Sequence, residues 1–545
     1  MNRFLPWHRL PKLLGVVNLV ALRDQLRDKN MVDTYSSPDV YGTAASCPMA
    51  HTKYQVVRHS DGLFNDLEQP RIGCAGMRFG RNIPRAATAA PSPEALLTPN
   101  PRVISERLLA RRTFIPAPSL NLLAAAWIQF MVHDWFAHYD DTTDIEVPLA
   151  EGDSWSEEQM RVHRTLADAP LADIDRTHPA YRNKNTHWWD GSQIYGSSEA
   201  QTQALRGAAT GGRLLVEAGC DDSFLPRDAR GIPISGFVDN WWTGLELMHT
   251  LFALEHNAIC DHLAHHYPAW TSDQLFDTAR LVNCALMAKI HALEWTPGIL
   301  AHPTLEVGMR STWWGLAGET LKRYWGRVSD NETIAGIPGS ATEMHDVPYA
   351  LTEEFVSVYR LHPLLPDEIA FHDVQTGRHQ VTLPMTDIVF ERARRPMDYG
   401  ATFSDLFYSF GIAHPGAITI HNYPAFLRDI RLPDGKHLDM ATVDILRDRE
   451  RGVPRYNAFR RLFHMPPAKS FEALTGGRAD LAREVSQVYD GDIEQVDLLV
   501  GCLCEPLPPG FGFSDTAFRV FILMASRRLN ADRFLAADFR PDIYT

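Results

Sequence analysis

Two pairs of side chains in this sequence have the types and spacing to do chemistry together. The segment WIQFMVHDWF places Gln129 and His133 four residues apart, on one face of a helix. An imidazole with a near-neutral pKa can take a proton from a peroxide and return it to the leaving oxygen. Gln129, on the same face, can hydrogen-bond a bound oxygen species. The segment EEFVSVYRLHPLLPD puts Tyr359 and His362 three residues apart, which predicts a second shared helix face. A histidine that ligates haem iron on one side leaves the other side open to oxygen chemistry. A tyrosine beside it can lose an electron and a proton, and its phenoxyl radical can take hydrogen from carbon. Pro363 is expected to end or kink this helix. Taken alone, each motif is more simply read as the packing of a buried helix.

The stretch THWWDGSQIYGS, residues 186–197, is rich in oxygen donors. Thr186, Asp190 and Ser192 offer side-chain oxygens, Trp188 its carbonyl, and Asp134, next to His133, a further carboxylate. Calcium takes a mixed set of about 6–8 such oxygens. A polar turn with side-chain-to-backbone bonds uses the same residue types, and spacing does not separate the two.

An His-Asp pair in a helix, followed about fifty residues later by T-x-W-x-D-x-S-x-I-Y-G-S, resembles the haem peroxidase–cyclooxygenase superfamily. The resemblance implies that Asp134, Thr186, Trp188, Asp190 and Ser192 hold a calcium that fixes the helix of the distal His133. The string Y-x-x-H-P-L-L-P-D is similar to the cyclooxygenase and fatty acid α-dioxygenase branches. That implies Tyr359 as radical carrier and His362 as proximal haem ligand. LNLLAAAWIQFMVHDW, HWWDGSQIYGS, AKIHALEWT and LMASRRLNADRF resemble the α-dioxygenases specifically, and they spread from residue 119 to 534. In that family a His, a Thr and an Arg hold the substrate carboxylate; the matching residues are His291, Thr296 and Arg528. Arg gives planar, charge-assisted bonds to a carboxylate, and a cationic His adds another. Such a grip beside Tyr359 presents the α-carbon to the radical. By residue type Arg527 and Arg533 compete with Arg528, and a solvated basic helix face would use the same residues. Val132 stands where mammalian peroxidases carry an Asp esterified to haem. VDNWWTGLELMHT lacks their R-S-S-E-M string and its distal Arg. The resemblance therefore implies a non-covalent haem b and weak generic peroxidase turnover.

The elements that must position these residues are mostly helical. Apolar spacing predicts helices over 119–138, 244–266, 275–295, 349–362, 402–412 and 514–533. Strand-like alternation is scarce. Residues 83–101, with five prolines, read as an extended surface segment, and 328–348 as a loop. The expected fold is mainly α, an animal-peroxidase-like helical fold in a single large domain. Residues 1–40 are read as an N-terminal amphipathic arm and 41–545 as the catalytic domain.

Composition sets the outer limits. At 45% hydrophobic and 22% charged, the 545 residues suit a soluble globular enzyme. A net charge of −14 disfavours nucleic acid as a partner. Seven cysteines without a CxxC pair disfavour a disulfide framework or a zinc site and suit a reducing, cytoplasmic setting. No apolar run reaches the ~20 residues that span a bilayer. Residues 13–22, flanked by Lys12, Arg23 and Arg27, predict an amphipathic helix, with core packing slightly favoured over peripheral membrane contact. No small-residue cleavage site marks a signal peptide before Arg23. The expected activity is that of a haem-dependent fatty acid α-dioxygenase. It would use a long-chain fatty acid and molecular oxygen, with hydrogen peroxide as activator, and give 2-hydroperoxy acids. The alternatives are a cyclooxygenase or diol-synthase-like dioxygenase of polyunsaturated acids, and a generic haem peroxidase.

Overall fold

The computed structural model describes residues 6–32, 52–207, 210–218 and 223–544. The helices that carry or back the site are α1 (Lys12–Asn30), α2 (Leu123–Trp135), α3 (Thr243–His266), α4 (Ser272–Ile290) and α5 (Pro303–Trp314). They are followed by α6 (Glu319–Trp325), α7 (Glu353–Val358), α8 (Phe403–Ile412), α9 (Met440–Glu450) and α10 (Asp515–Ala531). Strands among the described residues form only two-stranded ladders. The longest is β1 (Asp140–Val147) with β2 (Met160–Thr165), antiparallel, pairing Ile145 with Val162. Their inner residues Ile145, Val147, Met160 and Val162 pack with Leu446 of α9.

Local chemistry sets where these helices start. Thr271 with Gln274 opens α4 as a capping box, and Thr402 with Asp405 does the same for α8. Ser514 accepts the Ala517 amide at the start of α10. Helix α10 is buried around most of its circumference, including its polar Thr516, Ser526, Arg527, Arg528 and Asn530. It packs against α7 and α1. One face of α1 (Val16, Leu19, Leu22, Leu26) is buried, and Leu19, Leu22 and Leu26 join the main core. Gly15 lets α1 approach α5, since a Cβ there would come within 2.9 Å of Thr304. No described helix is long and apolar enough to cross a membrane. Cys74, Cys260, Cys284, Cys502 and Cys504 are free thiols; Cys47 and Cys220 lie outside the described residues.

Several predicted boundaries shift, each for a physical reason. The helix expected over 119–138 ends at Trp135, where Phe136 turns extended. Asn185 donates to the His133 carbonyl at 2.7 Å and Asn183 to the Trp135 carbonyl at 2.8 Å, satisfying the open helix end. The helix expected over 275–295 is α4 to Ile290, then a wide π-type turn over His291–Trp295. The helix expected over 349–362 is only α7. Thr352 caps its start, and it stops at Val358 because Pro363 has no N–H and its ring would strike the carbonyl four residues back. Residues 83–101 are not uniformly extended: a turn at Arg85–Ala87 and a short helix at Pro93–Leu97, capped by Ser92, interrupt them. A short helix at Glu332–Ala335 likewise breaks the predicted loop.

The core also buries imidazoles. Burial pulls His187 and His256 down to about 4, so both are neutral in the folded chain at neutral pH. The unfolded chain protonates them near the ordinary value of about 6.5. Their contribution is complete above that pH and is lost as pH falls toward 4, by roughly 3 kcal/mol each at full extent. A series of urea melts should show stability dropping across this window; a flat profile would contradict the neutral assignment.

Candidate active site

His133 sits on the last turn of α2, buried, with neither ring nitrogen hydrogen-bonded. Burial holds its pKa down at about 3, below the near-neutral value expected from the sequence, so the ring is unprotonated at neutral pH. It lines a cavity of about 380 Å³ together with Gln129, Val132, Tyr359, His362, Arg447 and Arg451. Gln129 is fixed at both ends: its Oε1 accepts from the Trp242 indole at 2.8 Å, and its Nε2 donates to the Asn240 carbonyl at 3.2 Å. One of its N–H bonds is left for a ligand.

The loop after β2 locks this helix end. Ser192 donates to Asp134 through its amide at 2.6 Å and its hydroxyl at 2.9 Å. Thr186 donates to Asp190 at 2.8 Å, and Arg280 lies 3.3 Å from the other Asp190 oxygen. Burial first, and then Asp190, push Asp134 up to about 7. One oxygen of each carboxylate lacks a hydrogen-bond partner. Two buried carboxylates, two hydroxyls and the Trp188 carbonyl form the hard-oxygen class that suits calcium. Among the described residues no three acidic, imidazole or thiol groups converge, so a cation here would rest on two carboxylates plus neutral oxygens.

Tyr359 and His362 do not share a helix face. Tyr359 caps α7, and His362 opens a 3₁₀ turn, yet the chain reversal brings both to the same cavity. His362 Nδ1 lies 2.8 Å from Asp444 on α9, which fixes the Nδ1–H tautomer and leaves Nε2 for a ligand. Asp444 also accepts from the Tyr423 hydroxyl at 2.9 Å and pairs with Arg360 at 2.8 Å. Those partners, His362 foremost, hold its carboxyl below the usual range despite burial. Sequence reading missed Asp444. Its only trace there is a second acid four residues on, Asp448.

The third cluster surrounds Trp135. Tyr359 meets this indole edge-on at 5.2 Å, and His291 does so at 5.2 Å. The Arg528 guanidinium stacks on Trp135 at 4.3 Å and on Trp189 at 4.4 Å. Arg528 is buried, pairs with no carboxylate among the described residues, and has no hydrogen-bond partner for Nε or Nη2. Its competitors are occupied. Arg527 donates to the Val347 and Pro348 carbonyls, and Arg533 binds Asp538 and the carbonyls of Phe64, Gln55 and Tyr54. None of the three lies on a solvated face.

His291 departs from expectation in charge. Burial, with Arg528 nearby, drives its pKa far below the ordinary range, so it is neutral. Its Nδ1 accepts the Trp127 indole N–H at 3.2 Å, which leaves Nε2–H as a neutral donor. Thr296 is buried and donates to the His291 carbonyl at 2.8 Å. Both residues line a mainly apolar cavity between α1, α5 and α10, together with Val16, Leu19, Met309 and Phe521. The burial of Tyr359 raises its phenol far above the ordinary value, so it stays protonated.

The sequence profile of the animal haem peroxidase family matches residues 57–545. Alpha-dioxygenase 2 of Arabidopsis thaliana is 38% identical, over 99% of this chain and 85% of the relative. Alpha-dioxygenase PIOX of Oryza sativa subsp. japonica is 34% identical, over 99% of this chain and 87% of the relative. The crystal structure of the Arabidopsis thaliana fatty acid alpha-dioxygenase superposes with a TM-score of 0.91 at 35% identity, covering 100% of this chain and 85% of that one. A Tyr-to-Phe variant of the Oryza sativa fatty acid alpha-dioxygenase, solved with palmitic acid, gives 0.91 at 33% identity, covering 100% and 88%.

Asp444 carries the first test. Asp444→Asn keeps the size but weakens the hold on His362, and should reduce haem affinity about 10- to 100-fold in a Soret titration of the haem-free protein. Unchanged affinity with an unchanged spectrum would remove Asp444 from the proximal site.

Proposed function

This chain belongs to the animal haem peroxidase family and, within it, to the α-dioxygenases, and we propose on that premise that it oxygenates fatty acids at the α-carbon. The observation that carries this reading is the shared contact on Trp135: a buried guanidinium that pairs with no carboxylate and a half-buried phenol touch the same indole. An anion gripped by Arg528 lies beside Tyr359. For a fatty acid, the carbon nearest that anion is the α-carbon.

The residues fit a haem. His362 Nε2 and both nitrogens of His133 face one cavity without partners, and Val132 lines it where covalent relatives have an esterifying acid. Lys184, Arg447 and Arg451 line the same cavity and suit its propionates. Burial lowers the pKa of Arg451 to about 10 although Glu353 lies 3.9 Å away, so a further anion would be welcome there. When bound and activated by peroxide, haem b held non-covalently supplies the oxidant that removes one electron and one proton from Tyr359.

The chain's own groups do the rest. His133 takes a proton from the peroxide and returns it to the leaving oxygen, and Gln129 steadies the peroxide with its spare N–H. Arg528 and the His291 Nε2–H hold the substrate carboxylate, and the Thr296 hydroxyl joins them by turning from the His291 carbonyl it bonds in the free protein. The alkyl tail lies in the apolar cavity, where burial contributes about 0.8 kcal/mol per methylene. The Tyr359 radical takes one α-hydrogen atom, molecular oxygen adds to the carbon, and Tyr359 returns a hydrogen atom to the peroxyl radical. The product is a 2-hydroperoxy acid. Tyr359 is again a radical, so peroxide is needed only for activation. Calcium at Asp134, Thr186, Trp188, Asp190 and Ser192 would neutralise the two buried carboxylates and hold α2 in place.

Tyr359→Phe should bind haem with an unaltered Soret band and consume no oxygen with palmitate. Surviving uptake would reject the radical role. Arg528→Met should raise KM by about 10- to 100-fold, the value of a charge-assisted bond. The same variant should unfold at no lower temperature than the parent without substrate, since it removes a buried charge that has no counter-ion. A large destabilisation would mean that Arg528 is paired in the free protein.

A further inference from the structure

The first turns of α1 have two apolar faces. Val16, Leu19 and Leu22 point inward, while Leu13 is 81% and Val17 68% exposed, with Leu14 and Ala21 exposed on the same outer stripe. Helix α6 repeats the pattern. Leu321, Tyr324 and Trp325 fall at i, i+3 and i+4, the spacing of a core-facing stripe, yet Tyr324 and Trp325 are each 78% exposed. This orientation is fastened from inside, because the Lys322 ammonium donates to the Trp313 and Pro338 carbonyls. Leu316 and Ile334, also exposed, join the two helices into one face: the Leu316 amide bonds the Thr333 carbonyl, and Arg23 of α1 reaches the Thr333 hydroxyl.

This face surrounds the apolar cavity. The half-buried rim of that cavity is Val20, Arg23, Thr312 and Thr333, with the α1 stripe on one side and Leu316 and Ile334 on the other. Arg9, Lys12 and Arg323 are exposed and enter no ion pair among the described residues, although the chain as a whole carries a net charge of −14. Of the acids nearby, Glu332 pairs with Arg23 and Arg27 and Glu319 with Arg310, while Asp330 is exposed. The acids Asp24 and Asp28 come later on α1, beyond its apolar turns.

We propose that this face docks on a lipid bilayer with anionic headgroups, so that the cavity opens toward the phase that holds its substrate. Exposed apolar side chains, an amphipathic Tyr and Trp at the rim, and unpaired cations are the components of interfacial binding. Docking removes the apolar face from water without spanning the membrane. The inference rests on the acyl path proposed above, but binding is measurable without turnover.

The test uses the full chain, loaded with haem, and vesicles of phosphatidylcholine with phosphatidylserine in a flotation assay without fatty acid. The parent should float with the vesicles. V17E and the double change Y324S with W325S should each lower partitioning about ten-fold or more. Both variants should turn over octanoate, which is water-soluble, at the parent rate. That control shows that they are folded, and it reports on the active-site reading separately. Absence of vesicle binding by the parent overturns the proposal. So does a parent that is dimeric in solution and becomes monomeric in both variants without ever floating, because the face would then be an interface between two copies of this chain.

Discussion

The buried guanidinium of Arg528 is the constraint on which the rest of the site depends. A cation out of water and without a counter-ion costs several kcal/mol. Here it is compensated only in part, by the faces of Trp135, Trp189 and the more distant Phe355, by a hydrogen bond with the Tyr349 side chain and by the field of Asp134. The surroundings hold it there without satisfying it. Helix α10 delivers it from a largely buried stretch, α2 ends on Trp135, and α7 supplies Phe355 and then Tyr359. A carboxylate would complete this arrangement. It would also bring with it an α-carbon beside the tyrosine, so that a binding device becomes a choice of reaction position.

The two histidines of the haem cavity illustrate the same economy of environment. His133 is left without any hydrogen-bond partner and is kept neutral by burial, so both ring nitrogens are open to a ligand. His362 is bound at Nδ1 by a carboxylate that Arg360 and Tyr423 hold in turn. One imidazole is poised to exchange a proton and the other to keep one. His291, a third imidazole, is neutral but oriented, its Nδ1 occupied by an indole so that its Nε2–H can meet an oxygen anion. A neutral donor suits this place, since a second cation against Arg528 would deepen the desolvation cost.

How much could be read in the sequence followed the distance between partners. His133, Asp134 and the 186–192 loop were legible as residues because each motif is local; their bonds across 58 positions follow from the fold. Tyr359 and His362 were legible as a pair, but their shared helix face was not real, because Pro363 stops α7 before either residue. Three arginines on one short segment are alike in sequence. Only the carbonyls of 347 and 348 and the Asp538 carboxylate, contributed from elsewhere, tell Arg527 and Arg533 from Arg528. Asp444 was invisible for the same reason, lying 82 residues from His362. The charge of His291 was misjudged because burial leaves no mark in a one-dimensional pattern.

The central claim is that the carboxylate grip at Arg528 fixes the position of oxidation. Mass spectrometry of the products from palmitate carrying two deuterium atoms at carbon 2 addresses it most directly. Loss of one deuterium, with oxygen found at carbon 2 or an aldehyde shorter by one carbon, is the expected result. Products that keep both deuterium atoms and carry oxygen farther along the chain would contradict it.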